Sequence, residues 1–259
     1  MHYNDGKEYQ KKEGRKAKSM KSPDLPQALV KVAHQSVVPG LITIVLGSFI
    51  VVAYYSCSIL KGKFDELQHL SNLLGWKFSC ILTGLFGGLL PTLFLMVRGK
   101  LPQPWIHQVV FFVCFWAKVG FIQELFFIIQ SELFGESLTV KTIMCKVAVD
   151  QFLWNPFFMT PYIFFWMQWR ENGFKCMICE RVEGAQKSRI FVGLAAQQII
   201  AWCTWIPASL LIYCMPLPLQ LPLFSVVLFF FSVAVDLNQK TTDEGEPCSK
   251  NEETLLLPN

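Results

Sequence analysis

Long apolar runs alternate with short polar connections along most of this chain, from about residue 37 to residue 236. Each run is close to the roughly 20 residues that an α-helix needs to cross the hydrocarbon core of a bilayer. The pattern therefore predicts an all-α, polytopic transmembrane bundle of about six spans. The predicted spans are residues 37–60, 75–97, 105–131, 143–169, 190–213 and 217–236.

Prolines crowd the junction of the last two predicted spans. Pro207 lies inside the fifth span, and Pro216, Pro218 and Pro222 follow it. Proline removes a backbone donor and clashes with the preceding turn, so it breaks or kinks a helix. We therefore expect residues 190–236 to form either two full spans or one broken, re-entrant pair.

The composition is typical of a membrane protein and excludes an ordinary soluble domain. The chain has 259 residues, of which 53% are hydrophobic and 16% are charged, whereas about 25% of the residues in soluble domains are charged. The cysteines lie mostly inside apolar runs, where they serve as small hydrophobic side chains rather than as a disulfide framework. The lipid bilayer is therefore the first predicted partner.

Charge is concentrated at the two ends and in the connections. Residues 1–30 form a basic segment and residues 237–259 an acidic one, and both are predicted to be disordered tails. Residues 31–104 then hold two N-terminal spans, and residues 105–236 hold the remaining four. Lys and Arg gather in the first tail and in every second connection, so the positive-inside rule places both termini in the cytoplasm. This topology accounts for the basic excess, which does not indicate a nucleic acid partner.

The basic N-terminal segment lacks the apolar core of a secretory signal, and no other presequence is evident. We therefore favour a bacterial plasma membrane, with an organellar membrane (mitochondrial inner or peroxisomal) as the alternative. Either location corresponds to a multi-pass integral membrane protein.

Polar side chains lie inside two of the predicted spans. Asp150, Gln151 and Asn155 share one sector of the fourth span at helical spacing. Lys118 and Glu124 lie in the third span. A charged group at membrane depth is costly, so it normally faces the protein interior or a wet cavity and has a partner. We expect Lys118 to be the counter-ion of one of the two acids.

These polar residues have two interpretations. In the first, they line a path for solutes or ions, and their charges set the field in a weakly screened passage. In the second, they join helices by interhelical hydrogen bonds, which contribute roughly 1 kcal/mol each in a membrane. Lys146, one helical turn before Asp150, is a second candidate partner for that acid. The small residues of Gly84-Leu-Phe-Gly87-Gly88 predict close helix packing instead.

No catalytic or metal-binding signature accompanies the polar residues. The chain has no G-x-x-x-x-G-K-[ST], H-E-x-x-H or G-x-S-x-G motif, and its histidines do not pair at the spacing of metal ligands. The lone C-x-x-C of Cys176 and Cys179 lacks the second ligand pair that a zinc site needs. We therefore predict no catalytic residues, no cofactor and no metal. No inverted repeat supports a proton-coupled transporter.

Three blocks within residues 105–236 carry a recognisable pattern. The first is a glycine-containing span, Ala117-Lys118-Val119-Gly120-Phe121, that runs on to Phe134-Gly135. The second runs from Lys146 through Asp150-Gln151 and Pro156 to Pro161. The third is Trp205-Ile206-Pro207 with Tyr213, Pro216 and Gln220. Together these blocks resemble the Mpv-seventeen family of peroxisomal and mitochondrial inner-membrane proteins, which has bacterial relatives.

That family is associated with small-solute permeability across organellar membranes, so the resemblance implies a helical membrane protein with channel-like behaviour. Asp150 and Gln151 match its most specific motif. The matching structural residues are Pro156, Pro161, Trp205 and Pro207. Ser209 and Ile212 replace the glutamine and asparagine of the family, a later arginine is absent, and the C-terminal aromatic signature is reduced to Phe229–Phe231. The first two spans lie outside the match.

The sequence therefore predicts an integral membrane protein that acts as a channel-like pore for small solutes or ions. Its predicted polar path consists of Lys118, Glu124, Asp150, Gln151 and Asn155. The alternative is a non-conducting membrane scaffold or assembly protein, in which the same residues join helices. A homo-oligomer is compatible with both functions.

Overall fold

The computed structural model describes residues 25–101, 104–171, 173–174 and 184–243. Within these residues the chain forms seven helices and no strand, which confirms the all-α prediction. The tails predicted for residues 1–30 and 237–259 lie largely outside the described residues, as do Cys176 and Cys179. Where the predicted tails overlap the described part, the chain is helical from Leu25 onwards and up to Asp243.

The helices are numbered α1 to α7 along the chain. Helix α5 is continuous but has three parts, Val140–Val149, Asp150–Met159 and Thr160–Glu171, of which the middle part has π-helical winding. A shorter π-helical stretch, Gly84–Leu89, lies inside α3. The other helices are α1 (Leu25–Ser56), α2 (Ser58–Leu74), α3 (Trp76–Val97), α4 (Trp105–Phe134), α6 (Gly184–Tyr213) and α7 (Leu217–Asp243).

Four of these helices are long and apolar enough to cross a membrane, namely α3, α4, α6 from Gly193 onwards and α7 up to Ala234. Helices α1 and α2 count as a fifth span only as a pair, which is bent by 103° at Cys57. The structure thus gives four or five candidate spans rather than about six. Of the two alternatives for residues 190–236, it gives two separate helices, although Pro207 and Pro222 lie inside them.

The fourth predicted span, residues 143–169, is helical but is not among these candidates. Several of its large apolar side chains face outwards, since Phe152, Leu153 and Phe157 are 56%, 58% and 77% exposed. Its polar side chains, including Asp150, are buried against other helices. The polar residues lower the mean hydropathy of α5, which therefore understates how apolar its outer face is.

Glycines bring α3 and α4 into backbone contact. A Cβ atom on Gly88 would lie 2.7 Å from Cα of Val113, and one on Gly120 would lie 2.6 Å from the carbonyl oxygen of Ser79. Distances this short leave no room for a methyl group, so glycine permits the close approach. The packing predicted for Gly84-Leu-Phe-Gly87-Gly88 is confirmed at this contact.

Helix α6 lies at the centre of the remaining packing. It contacts α1, α5 and α7, while α4 contacts α3, α5 and α7. The buried apolar core follows these contacts and includes Phe127 of α4, Val147 of α5, Ile212 of α6 and Phe224 of α7. Helices α4 to α7 therefore surround a common space, into which the polar residues of α5 point.

We expect Gly88→Ala to lower the free energy of unfolding by about 1–3 kcal/mol, because overpacking forces α3 and α4 apart. The matched control is Gly62→Ala on α2, where the new methyl group meets nothing within 4 Å and helix propensity favours alanine by roughly 1 kcal/mol. Denaturant unfolding of the purified protein in detergent measures both changes. Equal stability of the two variants would contradict the close contact.

Candidate functional site

The polar residues of α5 lie where the winding of that helix changes. In its π-helical part, the backbone N–H of Thr160 donates to the carbonyl of Asn155, five residues earlier. Pro156 has no N–H to donate, which would leave a gap in an α-helix. The wider π turn keeps the helix continuous, and such segments often mark functional sites. Pro156 therefore changes the winding of α5 without ending the helix.

The carboxylate of Asp150 is held by two hydroxyl groups of α6. Ser209 Oγ donates to Asp150 Oδ2 at 3.0 Å, and Tyr213 Oη donates to the same oxygen at 3.1 Å. Ser209 and Tyr213 are one helical turn apart, so a single face of α6 presents both. All three side chains are buried. The two bonds replace water that the carboxylate loses when it is buried.

A row of amides continues from Ser209 along α5. Gln151 Nε2 donates to Ser209 Oγ at 2.9 Å, and Asn155 Nδ2 donates to Gln151 Oε1 at 3.3 Å. Thr160 Oγ1 donates to Asn155 Oδ1 at 3.0 Å. Thr160 Oγ1 is also 2.7 Å from Gln198 Oε1 on α6. Because a hydroxyl group has one proton, Thr160 serves one of these acceptors at a time.

A second row reaches Asp150 from α4. Gln130 Nε2 donates to Tyr213 Oη at 3.0 Å and to the carbonyl oxygen of Lys146 at 3.1 Å. In both rows each side-chain donor points along the row towards Asp150. Hydrogen bonds aligned in this way polarise one another in the same sense. The network therefore links α4, α5 and α6 and converges on one carboxylate.

A central cavity of about 230 Å³ runs beside this network, between α4, α5, α6 and α7. On α6 it extends from Gln197 to Ile212, which is roughly 22 Å along a helix axis. Among the described residues that line it, Asp150 is the one charged side chain. The polar lining residues are Gln123, Asp150, Gln151, Asn155, Thr160, Gln197, Ser209 and Ser232, and the rest of the wall is apolar.

A second cavity of about 150 Å³ lies at the end of the bundle that holds the α4–α5 and α6–α7 connections, and we call it the vestibule. Tyr55, Glu136, Lys146 and Tyr213 are among the residues that line it. Tyr213 thus faces the vestibule, while its hydrogen-bond partner Asp150 faces the central cavity. A single hydrogen bond therefore joins a residue that lines one cavity to a residue that lines the other.

The structure brings together three of the five residues predicted for a polar path. Asp150, Gln151 and Asn155 share one network and line one cavity. Glu124 does not line that cavity, and its Oε2 is buried without a hydrogen-bond partner. Lys118 does not line it either and is exposed.

The ion pair predicted between Lys118 and one of the two acids, Asp150 or Glu124, does not form within the described residues. Lys118 Nζ instead lies 3.5 Å from the ring centroid of Trp166, which is a cation–π contact. Lys146 Nζ lies 5.9 Å from the ring centroid of Tyr213, on the vestibule side. Within the part of the chain that the structure describes, no basic side chain is within ion-pair distance of Asp150. Hydroxyl groups of α6 occupy the place expected for a cation.

The residues predicted for structural roles lie in or next to the same region. Trp205 lines the central cavity and stacks on Phe224 of α7, with ring centroids 4.9 Å apart. Pro156 and Pro207 lie inside α5 and α6. Pro161 lies directly after the π-helical part of α5, inside the continuous helix.

Reasoning from the sequence missed Gln130, Thr160 and Tyr213 as members of the network. Gln130 follows Gln123 by two helical turns, so a search for amides on one face of α4 could have found it. Tyr213 lies near the end of a predicted span, where a tyrosine is usually interfacial. Thr160 offers no signal in the sequence, because threonine is common at such positions without a polar partner.

Comparisons with models of protein families, with curated proteins and with solved structures find no match for this chain. The resemblance of residues 105–236 to the Mpv-seventeen family stays a prediction that rests on its motif residues. Among the described residues, no group of three or more His, Cys, Asp or Glu side chains could hold a metal ion.

We expect Ser209→Ala to lower the free energy of unfolding by about 1–3 kcal/mol, because it removes a donor from Asp150 and the acceptor of Gln151 Nε2. The matched control is Ser232→Ala on α7, whose hydroxyl donates to the carbonyl of Leu228 in its own helix. Unfolding in detergent, followed by tryptophan fluorescence, measures both. Similar losses in the two variants would show that the network adds no more than an ordinary helix hydrogen bond.

Proposed function

We propose that this chain is a multi-pass integral membrane protein that conducts small solutes or ions through its central cavity in a channel-like manner. The observation that carries the proposal is the position of the cavity, which extends lengthwise between four helices with a polar network along one wall. Passages through membrane proteins select and conduct by means of a few polar groups in a narrow, otherwise apolar wall. A closed polar interface without a cavity would offer no such route.

Six membrane crossings are compatible with this function if α1 and α5 cross beside α3, α4, α6 and α7. Helix α5 presents Phe152, Leu153 and Phe157 outwards, as a lipid-facing helix does. Helix α1 packs along α6 and α7 and exposes Phe49 and Val52 on its other side. Helix α2, bent by 103° from α1, then has the direction of a helix that lies along the membrane interface.

In this proposal the conduit is closed at Asp150 and Tyr213. Asp150 lines the central cavity, Tyr213 lines the vestibule, and a 3.1 Å hydrogen bond joins the two side chains. Gln130 holds Tyr213 from one side and Ser209 holds Asp150 from the other. The network therefore stabilises the closed arrangement, and displacement of the Tyr213 ring joins the two cavities.

We expect Tyr213→Ala to increase solute release from liposomes severalfold, because loss of the ring opens the central cavity to the vestibule. The measurement uses purified protein at known density in liposomes loaded with potassium chloride and erythritol. The wild-type protein should release both solutes slowly, but faster than liposomes without protein.

Tyr162→Ala is the matched control for this experiment. It removes a tyrosine ring that stacks on Phe115, with centroids 5.9 Å apart, and that lines neither cavity. Thermal unfolding establishes that both variants are folded. If folded wild type and Tyr213→Ala are as tight as liposomes without protein, the conduit is wrong, and the polar residues join the helices of a non-conducting scaffold.

We also expect Ser137 and Gly173 to lie on opposite sides of the membrane, because α5 crosses between them. Short epitope tags inserted after either residue, probed with antibody on sealed vesicles, report the side of each connection. Access to both tags from the same side would show that α5 does not cross.

A further inference from the structure

The central cavity contains an acidic side chain that no basic side chain of the described residues pairs with. Asp150 is the one charged side chain among the described lining residues, and no basic side chain of the described ranges pairs with it. Lys118 lies over Trp166, and Lys146 lines the vestibule. A buried charge of this kind normally has a partner.

The hydrogen bonds around Asp150 complement a charged carboxylate. Ser209 and Tyr213 both donate to Oδ2, and each of them in turn accepts from an amide, Gln151 or Gln130. Such converging donors stabilise an anion. They add no positive charge, so an ionised Asp150 gives the cavity a field that attracts cations and repels anions.

The rest of the wall fits an organic cation better than a metal ion. Calcium takes about six to eight oxygen ligands, usually with several carboxylates, whereas this cavity offers one carboxylate in a mostly apolar wall. Trp116 and Trp205 line the cavity, and Trp205 has one ring face against Phe224. Indole rings attract ammonium groups that come within about 6 Å of the ring centroid.

The volume of the cavity bounds the size of such a ligand. The space of about 230 Å³ exceeds the roughly 150 Å³ cavity that takes up benzene, so a cation with several carbon atoms fits. The amide groups of Gln123, Asn155 and Gln197 line the same space. They can bond to hydroxyl or N–H groups of the ligand.

We propose that the central cavity binds a small organic cation, from a primary amine to a quaternary ammonium ion. Its charge lies at Asp150 and its apolar part lies against Trp116 and Trp205. The proposal names the solute class of the conduit and, as far as transport is concerned, rests on the proposed function.

Equilibrium binding of radiolabelled choline to the wild-type protein in lipid nanodiscs tests the site. The competitor is the dimethylbutanol that has a tert-butyl group in place of the trimethylammonium group of choline. It has the same shape as choline but no charge. We expect choline to bind saturably and dimethylbutanol to compete at least about tenfold more weakly, because it lacks the charge that the carboxylate and the indole rings attract. Equal competition by the two molecules overturns the proposal, and the comparison needs no variant.

Asp150→Asn should lower the affinity for choline at least about tenfold, since it removes the charge and keeps the shape of the side chain. Asp65→Asn on α2 makes the same chemical change at an exposed acid and should leave the affinity unchanged. A folded Asp150→Asn protein that binds choline as tightly as wild type overturns the assignment of the charge to Asp150.

Solute release from liposomes separates the cation site from the conduit. Saturable, charge-dependent choline binding by a protein that releases no solute supports the cation site and overturns the conduit. Equal release of choline, erythritol and glutamate by a protein that shows no saturable choline binding supports the conduit and overturns the cation site.

Discussion

A carboxylate buried between helices must receive from the protein the hydrogen bonds that water would otherwise donate. The polar residues at the centre of this structure meet that requirement. Asp150 obtains two hydroxyl donors from one face of α6, and amides of α4 and α5 support those hydroxyls in turn. The requirement constrains more than side chains. The π-helical winding of α5 places the polar residues of that helix in one sector in spite of Pro156. The contact between α5 and α6 must also be close enough for bonds of about 3 Å.

The same requirement explains why the polarity of α5 is reversed relative to a soluble helix. Its polar groups face inwards, and Phe152 and Phe157 face outwards. Such a helix is stable in lipid only if neighbouring helices cover its polar side, which α4 and α6 do. The glycines that bring α3 against α4 leave the other side of α4 for α5 and α7. Helix α4 therefore packs closely against α3 on one side and lines the central cavity on the other.

The sequence predicted the bounds of several helices and the polar sector of α5. It did not predict which side chains bond to Asp150. Apolar runs placed α3 and α4 to within about three residues, and helical spacing grouped Asp150 with Gln151 and Asn155. The bend at Cys57 was missed, because residues 37–60 remain apolar across it. The prediction that Lys118 pairs with one of the two acids was wrong, since similar depth along two helices does not say which faces meet, and Asp150 bonds to other residues. The true partners are 59 and 63 residues away along the chain, and neither is charged.

A network that served stability alone would have its hydrogen bonds satisfied throughout, because an unsatisfied buried polar atom is costly. Here two amides of the network have unused atoms, since Gln130 Oε1 and Gln198 Nε2 are buried without a partner. Between them, Asp150 lies beside a cavity, and no basic side chain of the described residues pairs with it. A hydrophobic pair in its place would join α5 and α6 at no such cost. The position of this acidic group therefore favours the proposed cation site over a role in helix packing alone.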